Sequence, residues 1–184
     1  MSRLLIPCSV ACLTLGLFAF TGFAQKEGDT PNKINPGVVK FARDHVGKKV
    51  GDGECTALAI EALESVGAKT THDFGVSGLD KDYEWGTLVK KNADVRPGDI
   101  IQFRDVVTVT KTVKGNTTRT MTRNYGHHTA VISRNLGKGK FKVYEQNSGG
   151  PNTSEVEKKK VREDDLDLAG KTEGTVWIYR PVKK

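Results

Sequence analysis

At Arg96 the period of the chain changes, and that change constrains the fold more than any other feature. Upstream, apolar residues recur at helical spacing: 38, 39, 42 and 46 in one segment, 59, 62, 63 and 66 in the next. Downstream, Pro97-Gly98-Asp99 makes a turn and Ile100-Ile101-Gln102-Phe103 enters an alternating regime. Further strands are expected over 106–113 and 117–122 as a long, polar hairpin around Lys114-Gly115-Asn116, then over 129–133, 141–146 and 176–180. Residues 135–140 form a glycine-bearing turn, 148–152 a loop and 155–167 a charged stretch. Helices come first and an antiparallel sheet follows, so the class is α+β with N-terminal helices packed on the sheet. Tyr83, Trp85 and Leu88, at the end of a connecting loop over 68–84, cover the core.

The N-terminus reads as an export signal. A basic start at Arg3 leads into an apolar run over 4–20, and Gly22 and Ala24 form a small-x-small pattern before Gln25. Cleavage after Ala24 leaves a polar leader, 25–35, and one domain, 36–184. The product is secreted or periplasmic, keeps no stable membrane span and is expected to be a monomer. Loss of Arg3 lowers the net charge from +7 to +6, which suits an anionic surface such as a cell wall. The cations are scattered and no nucleic-acid-binding motif accompanies them, so no nucleic-acid partner is expected. Cys8 and Cys12 leave with the signal, and Cys55 remains as the single thiol. An internal disulfide and a cysteine-only metal site are thereby excluded.

Cys55 stands at a telling place. Gly51-Asp52-Gly53-Glu54 is a poor helix and Cys55-Thr56-Ala57-Leu58-Ala59 a good one, so the thiol falls in a first helical turn. Free N–H groups and the helix dipole favour a thiolate there. The residue is either a nucleophile or a small apolar side chain packing the helix start. A nucleophile needs a base, and the base an orienting group. His127 and His128 open the 129–133 strand. If the turn beyond it holds two or four residues, a residue n pairs with about 273 − n or 275 − n. His128 then faces Glu145 or Asn147, which share a face. His127 points to the other face, so only one of the two can be the base. Adjacent histidines diverge on a strand, so no shared metal is expected. No cofactor is expected either. Asp44 with His45 and His72 with Asp73 read as surface pairs.

The order of these motifs carries a resemblance. Gly-x-Gly-Glu-Cys55 opening a helix, Arg-Pro97-Gly98-Asp99-Ile-Ile-Gln, His128-Thr-Ala-Val-Ile and Glu145-Gln-Asn147 resemble the CHAP and NlpC/P60 papain-like superfamily. The chain is also similar to the cysteine-proteinase-fold domain of fungal myosin-tail-interacting actin-patch proteins. The resemblance implies a papain-like fold in which Cys55 attacks an amide carbonyl and His128 is the base. Glu145 or Asn147 orients the histidine. The Cys55 N–H is the favoured oxyanion donor, with Gln102, Glu54 and Trp85 expected around the substrate. The function implied is an exported cysteine amidase or endopeptidase acting on cell-wall peptide or protein. The alternative is a binding module that keeps the fold without turnover. The long hairpin over 106–122 departs from the short link of many superfamily members.

Overall fold

A computed structural model describes residues 33–78, 80–150 and 152–184. The expected signal, 1–24, and most of the leader lie outside the described residues. Helix α1 (Ile34–Asp44) begins inside the stretch expected to be leader: Ile34 and Asn35 are helical, and Asn35 is buried. Helix α2 (Cys55–Glu64) buries Cys55, Leu58, Ala59, Ala62 and Leu63, a stripe at 3.6-residue spacing. The two helices pack on each other and on one face of the sheet.

The sheet comprises β1 (Thr87–Leu88), β2 (Ile100–Lys114), β3 (Thr117–Gly137), β4 (Lys140–Glu145), β5 (Arg162–Asp167) and β6 (Lys171–Arg180). Their order is β1-β6-β2-β3-β4-β5, with every pair antiparallel. The segments expected as separate strands and a hairpin are two long strands, continuous through a bend at Asp105 (φ 52°) opposite Gly126. Two strands escaped the sequence reading. β1 is two residues long, and β5 lies in the charged stretch, where Asp165 and Asp167 pair with Lys142 and Lys140 of β4 while Leu166 alone enters the core. A short helix α3 (Glu155–Lys158) precedes β5.

The connection from β5 to β6 shows the sheet's curvature. Four strand spacings separate β5 from β6, about 19 Å if the sheet were flat. Only Leu168–Gly170 joins them, a reach of about 14 Å. The sheet therefore curls, and each face holds its own core. Ile100, Val131, Tyr144 and Tyr179 meet Val38, Ala42, Leu58, Ala62 and Leu63 of the helices. On the opposite face Ile101, Phe103, Ala130, Ile132, Phe141, Val143, Leu166 and Ile178 pack together. This double burial explains why 100–103 and 128–132 are buried continuously rather than alternately.

The Pro97-Gly98-Asp99 turn ties helices to sheet. Gly98 (φ 86°) lies so close to α1 that a Cβ would sit 2.3 Å from the Asn35 carbonyl oxygen. Asn35 Nδ2 donates to the Pro97 carbonyl at 3.0 Å and to Asp99 Oδ1 at 2.9 Å. Asp99, fully buried, also accepts from the Arg96 N–H and from Arg180 at the end of β6. His45 caps α1 by bonding the Phe41 carbonyl and stacking on the Phe41 ring, while Asp44 pairs with Lys40, so the expected Asp44–His45 pair does not form. Asp73 likewise pairs with Lys184 and the Thr70 N–H.

Candidate active site

Cys55 is delivered by a loop whose two glycines take positive φ, 52° at Gly51 and 91° at Gly53, before Glu54 caps α2. Gln146, fully buried just past β4, splints this loop. Its side chain accepts from the Val50 N–H at 2.8 Å and donates to the carbonyls of Val50 at 3.0 Å and Glu54 at 2.9 Å. The thiol thus sits in the first turn of a helix whose entrance is clamped to the end of β4. It is 9 % exposed.

His128 faces it from β3. The imidazole Nε2 is 2.9 Å from Glu145 Oε2, which leaves Nδ1 as the ring nitrogen available to the Cys55 thiol. The pairing behind this contact differs from a simple hairpin. The β3–β4 turn is the two-residue Lys138-Gly139, both at positive φ, the I′ pattern. Two register shifts, between Ile132 and Arg134 and between Asn135 and Gly137, move the pairing until Val131 faces Tyr144. Extended along the strands, that register sets His128 opposite Asn147. The chain has left the ladder by then: Asn147 adopts φ 56° and donates to Glu54 Oε2 at 2.6 Å. His128 therefore bonds Glu145 diagonally, and Asn147 does not contact it. His127 points away and packs its ring 4.7 Å from that of Tyr83.

The charges reinforce one another. Burial pushes the Cys55 thiol up, but the hydrogen bond and charge of His128 and the Thr129 N–H bring it below its ordinary value, against Glu54. Burial lowers His128, yet the bonds to Cys55 and Glu145 outweigh it and push the imidazole up to about 10. Glu145, 2 % exposed, is raised by burial and brought down overall by His128, by a hydrogen bond with Asp164 and by Arg123. All three shifts run toward a thiolate beside an imidazolium backed by a carboxylate. Chemically, such a thiolate can attack an electrophilic carbon while the adjacent imidazolium supplies a proton.

Two of the three residues expected to surround a substrate are placed otherwise. Trp85 is fully buried and spends its indole N–H on Gln102 Oε1 at 3.2 Å. Gln102 is also fully buried; it accepts from Thr129 Oγ1 at 2.7 Å and donates to the Phe103 carbonyl. Neither presents a surface to a ligand, because both side chains are fully buried and bonded to each other. They brace Thr129, whose N–H helps to lower the thiol's pKa. Glu54 remains at the rim, held by Lys159 and Asn147. The free N–H groups of the first α2 turn are the remaining oxyanion donors.

Sequence reasoning missed Gln146, Thr129, Tyr83 and Asp164. Gln146 was visible inside Glu145-Gln-Asn147 without a role, because its partners lie 92 and 96 residues away. Tyr83 is raised by burial and then by the charge of Cys55, which marks it as a neighbour of the thiol.

The family described as the AIM3/BBC1 cysteine proteinase-fold domain matches residues 29–184, which spans the three α-helices and six strands of the described residues. Comparison with curated proteins and with solved structures finds no match. With most of its length matched and a helix-borne cysteine facing a strand-borne histidine, the chain belongs to the AIM3/BBC1 cysteine proteinase-fold domain family.

Proposed function

We propose that this domain is a cysteine amidase or endopeptidase whose working groups are Cys55, His128 and Glu145, arranged as in NlpC/P60 and CHAP enzymes. The observation that carries the reading is His128 held between the Cys55 thiol and Glu145, 2.9 Å from the carboxylate. The thiolate adds to the amide carbonyl, and the developing oxyanion is met by first-turn N–H groups of α2. The C–N bond breaks as His128 gives its proton to the departing amine. A water then adds to the thioester while His128 takes its proton, the C–S bond breaks and the acid leaves. No metal or cofactor enters these steps.

The apolar N-terminal run and the positive charge support export and a cell-wall peptide or a protein as substrate. N-terminal sequencing of native protein from the culture medium should begin at Gln25. An intact Met1 inside cells would remove the export reading.

One observation favours the second reading, a binding module that keeps the fold. Cys55 is only 9 % exposed, and Gln102 is fully buried with its amide nitrogen turned to the Phe103 carbonyl. The deciding measurement is the pH dependence of Cys55 alkylation by iodoacetamide in the wild type and in His128→Ala. The pair predicts rapid wild-type reaction at pH 6 and a rate about tenfold or more lower in the variant, whose thiol returns to ordinary acidity. Equal profiles would leave the binding module as the better account. A positive result is followed by amine release from peptidoglycan fragments and peptides, which Cys55→Ala must abolish.

A further inference from the structure

Glu145 is buried, and His128 Nε2 occupies only one of its oxygens. A buried carboxylate offers several acceptor sites, and leaving them dry and empty is costly. The second partner comes from β5. In the β4–β5 ladder Glu145 faces Arg162 and Val143 faces Asp164, so Glu145 and Asp164 are diagonal neighbours on one face of the sheet. That face is the one lined by Phe141, Val143 and Leu166. Two carboxyl groups set diagonally on one face, one of them buried, repel when both are charged, which favours a proton held between them.

We propose that Asp164 is a positioning residue of this site: as a neutral acid it donates a hydrogen bond to the Glu145 carboxylate and keeps that carboxylate ionised and aimed at His128. The inference rests on the Cys55–His128–Glu145 reading and extends it by one residue. Asp164 is the member that keeps the proton. Burial first, then the bond and charge of Glu145, raise its carboxyl, while Arg123 and Arg162 pull the other way. Glu145 moves downward in turn. The surrounding groups are consistent with this division. Arg123 of β3 has its Nη2 4.0 Å from Asp164 Oδ1, a long ion pair that makes no hydrogen bond, and its Nη1 3.3 Å from the Tyr125 hydroxyl. His128 holds Glu145 from the other side.

The test separates a donor from a charge. Alkylation of Cys55 is followed from pH 4 to 10 in the wild type, His128→Ala, Asp164→Asn and Asp164→Ala. Asn keeps an N–H donor and cannot titrate; Ala removes the donor. The expected result is a wild-type profile in Asp164→Asn and a midpoint about one pH unit higher in Asp164→Ala, because Glu145 without its donor binds protons more tightly. Equal shifts in both variants would mean that Asp164 acts as a charge, and no shift in either would mean a structural role. Each overturns the proposal while leaving the Cys–His pair intact. Identical profiles for wild type and His128→Ala would instead bring down the underlying reading and this one with it. Should Asp164→Ala not fold, carboxyl carbon-13 shifts of the unmodified protein decide at pH 6: Asp164 neutral with Glu145 ionised supports the proposal, and the reverse overturns it.

Discussion

His128 links the site's chemistry to the stability of the domain. Its imidazole is pushed up to about 10 from 6.5, so its contribution is complete below about pH 6.5 and is lost as pH rises through about 10. Cys55 is lowered from 9.0, so its contribution is complete above about pH 9 and is lost as pH falls through its folded value. The two slopes cancel where the Cys55 window, which ends at about pH 9, overlaps the His128 window, which begins at about pH 6.5. The stability advantage of the wild type over a Cys55→Ala/His128→Ala double variant should therefore form a plateau there and decline on both sides. Denaturant midpoints from pH 5 to 10.5 check this, and a pH-independent difference would refute the ion pair. Cys55 and His128 were both legible in the sequence, as a thiol after a glycine loop and a histidine at a strand start. The choice of Glu145 over Asn147 was not, since it depends on two register shifts and on a left-handed residue that turns Asn147 toward Glu54.

At the scale of elements, the β2–β3 arm and strand β5 have opposite dependence on context. The arm beyond Val109 and Thr122 pairs only with itself, and its tip is exposed. Gly115 (φ 59°) at the first turn position suits a two-residue II′ loop, and local pairing makes the hairpin readable in sequence. Because it covers no core, replacing 110–121 by Asn-Gly should change unfolding free energy by about 1 kcal/mol or less and leave Cys55 alkylation unaltered. A larger loss, or a changed alkylation profile, would show that the arm supports the site. β5 shows the converse. Its alternation is of charge against Lys140 and Lys142, so hydropathy carries no trace of it, and Asp164 was hidden in what read as a solvated stretch.

For the whole molecule the decisive residue is Asp99, where α1, the start of β2 and the end of β6 converge. One buried carboxylate accepts from Asn35, Arg96 N–H and Arg180. Asp99→Ala strands those donors, and breaking a buried charged network of this kind costs about 3–5 kcal/mol. Urea denaturation should report a loss of that size, and a loss below about 1 kcal/mol would mean that the helices and sheet dock without it. The order of elements, the helix-borne thiol and the turn at Pro97 were determined by the sequence alone, because helical spacing, alternation and glycine conformations are local properties of the chain. Only the tertiary structure decided that the sheet curls over a second core, that Trp85 and Gln102 lie beneath the site rather than around it, and that Asp164 stands behind Glu145. Each of these depends on partners distant in sequence, and a buried polar group is satisfied by whichever neighbour the fold brings within reach.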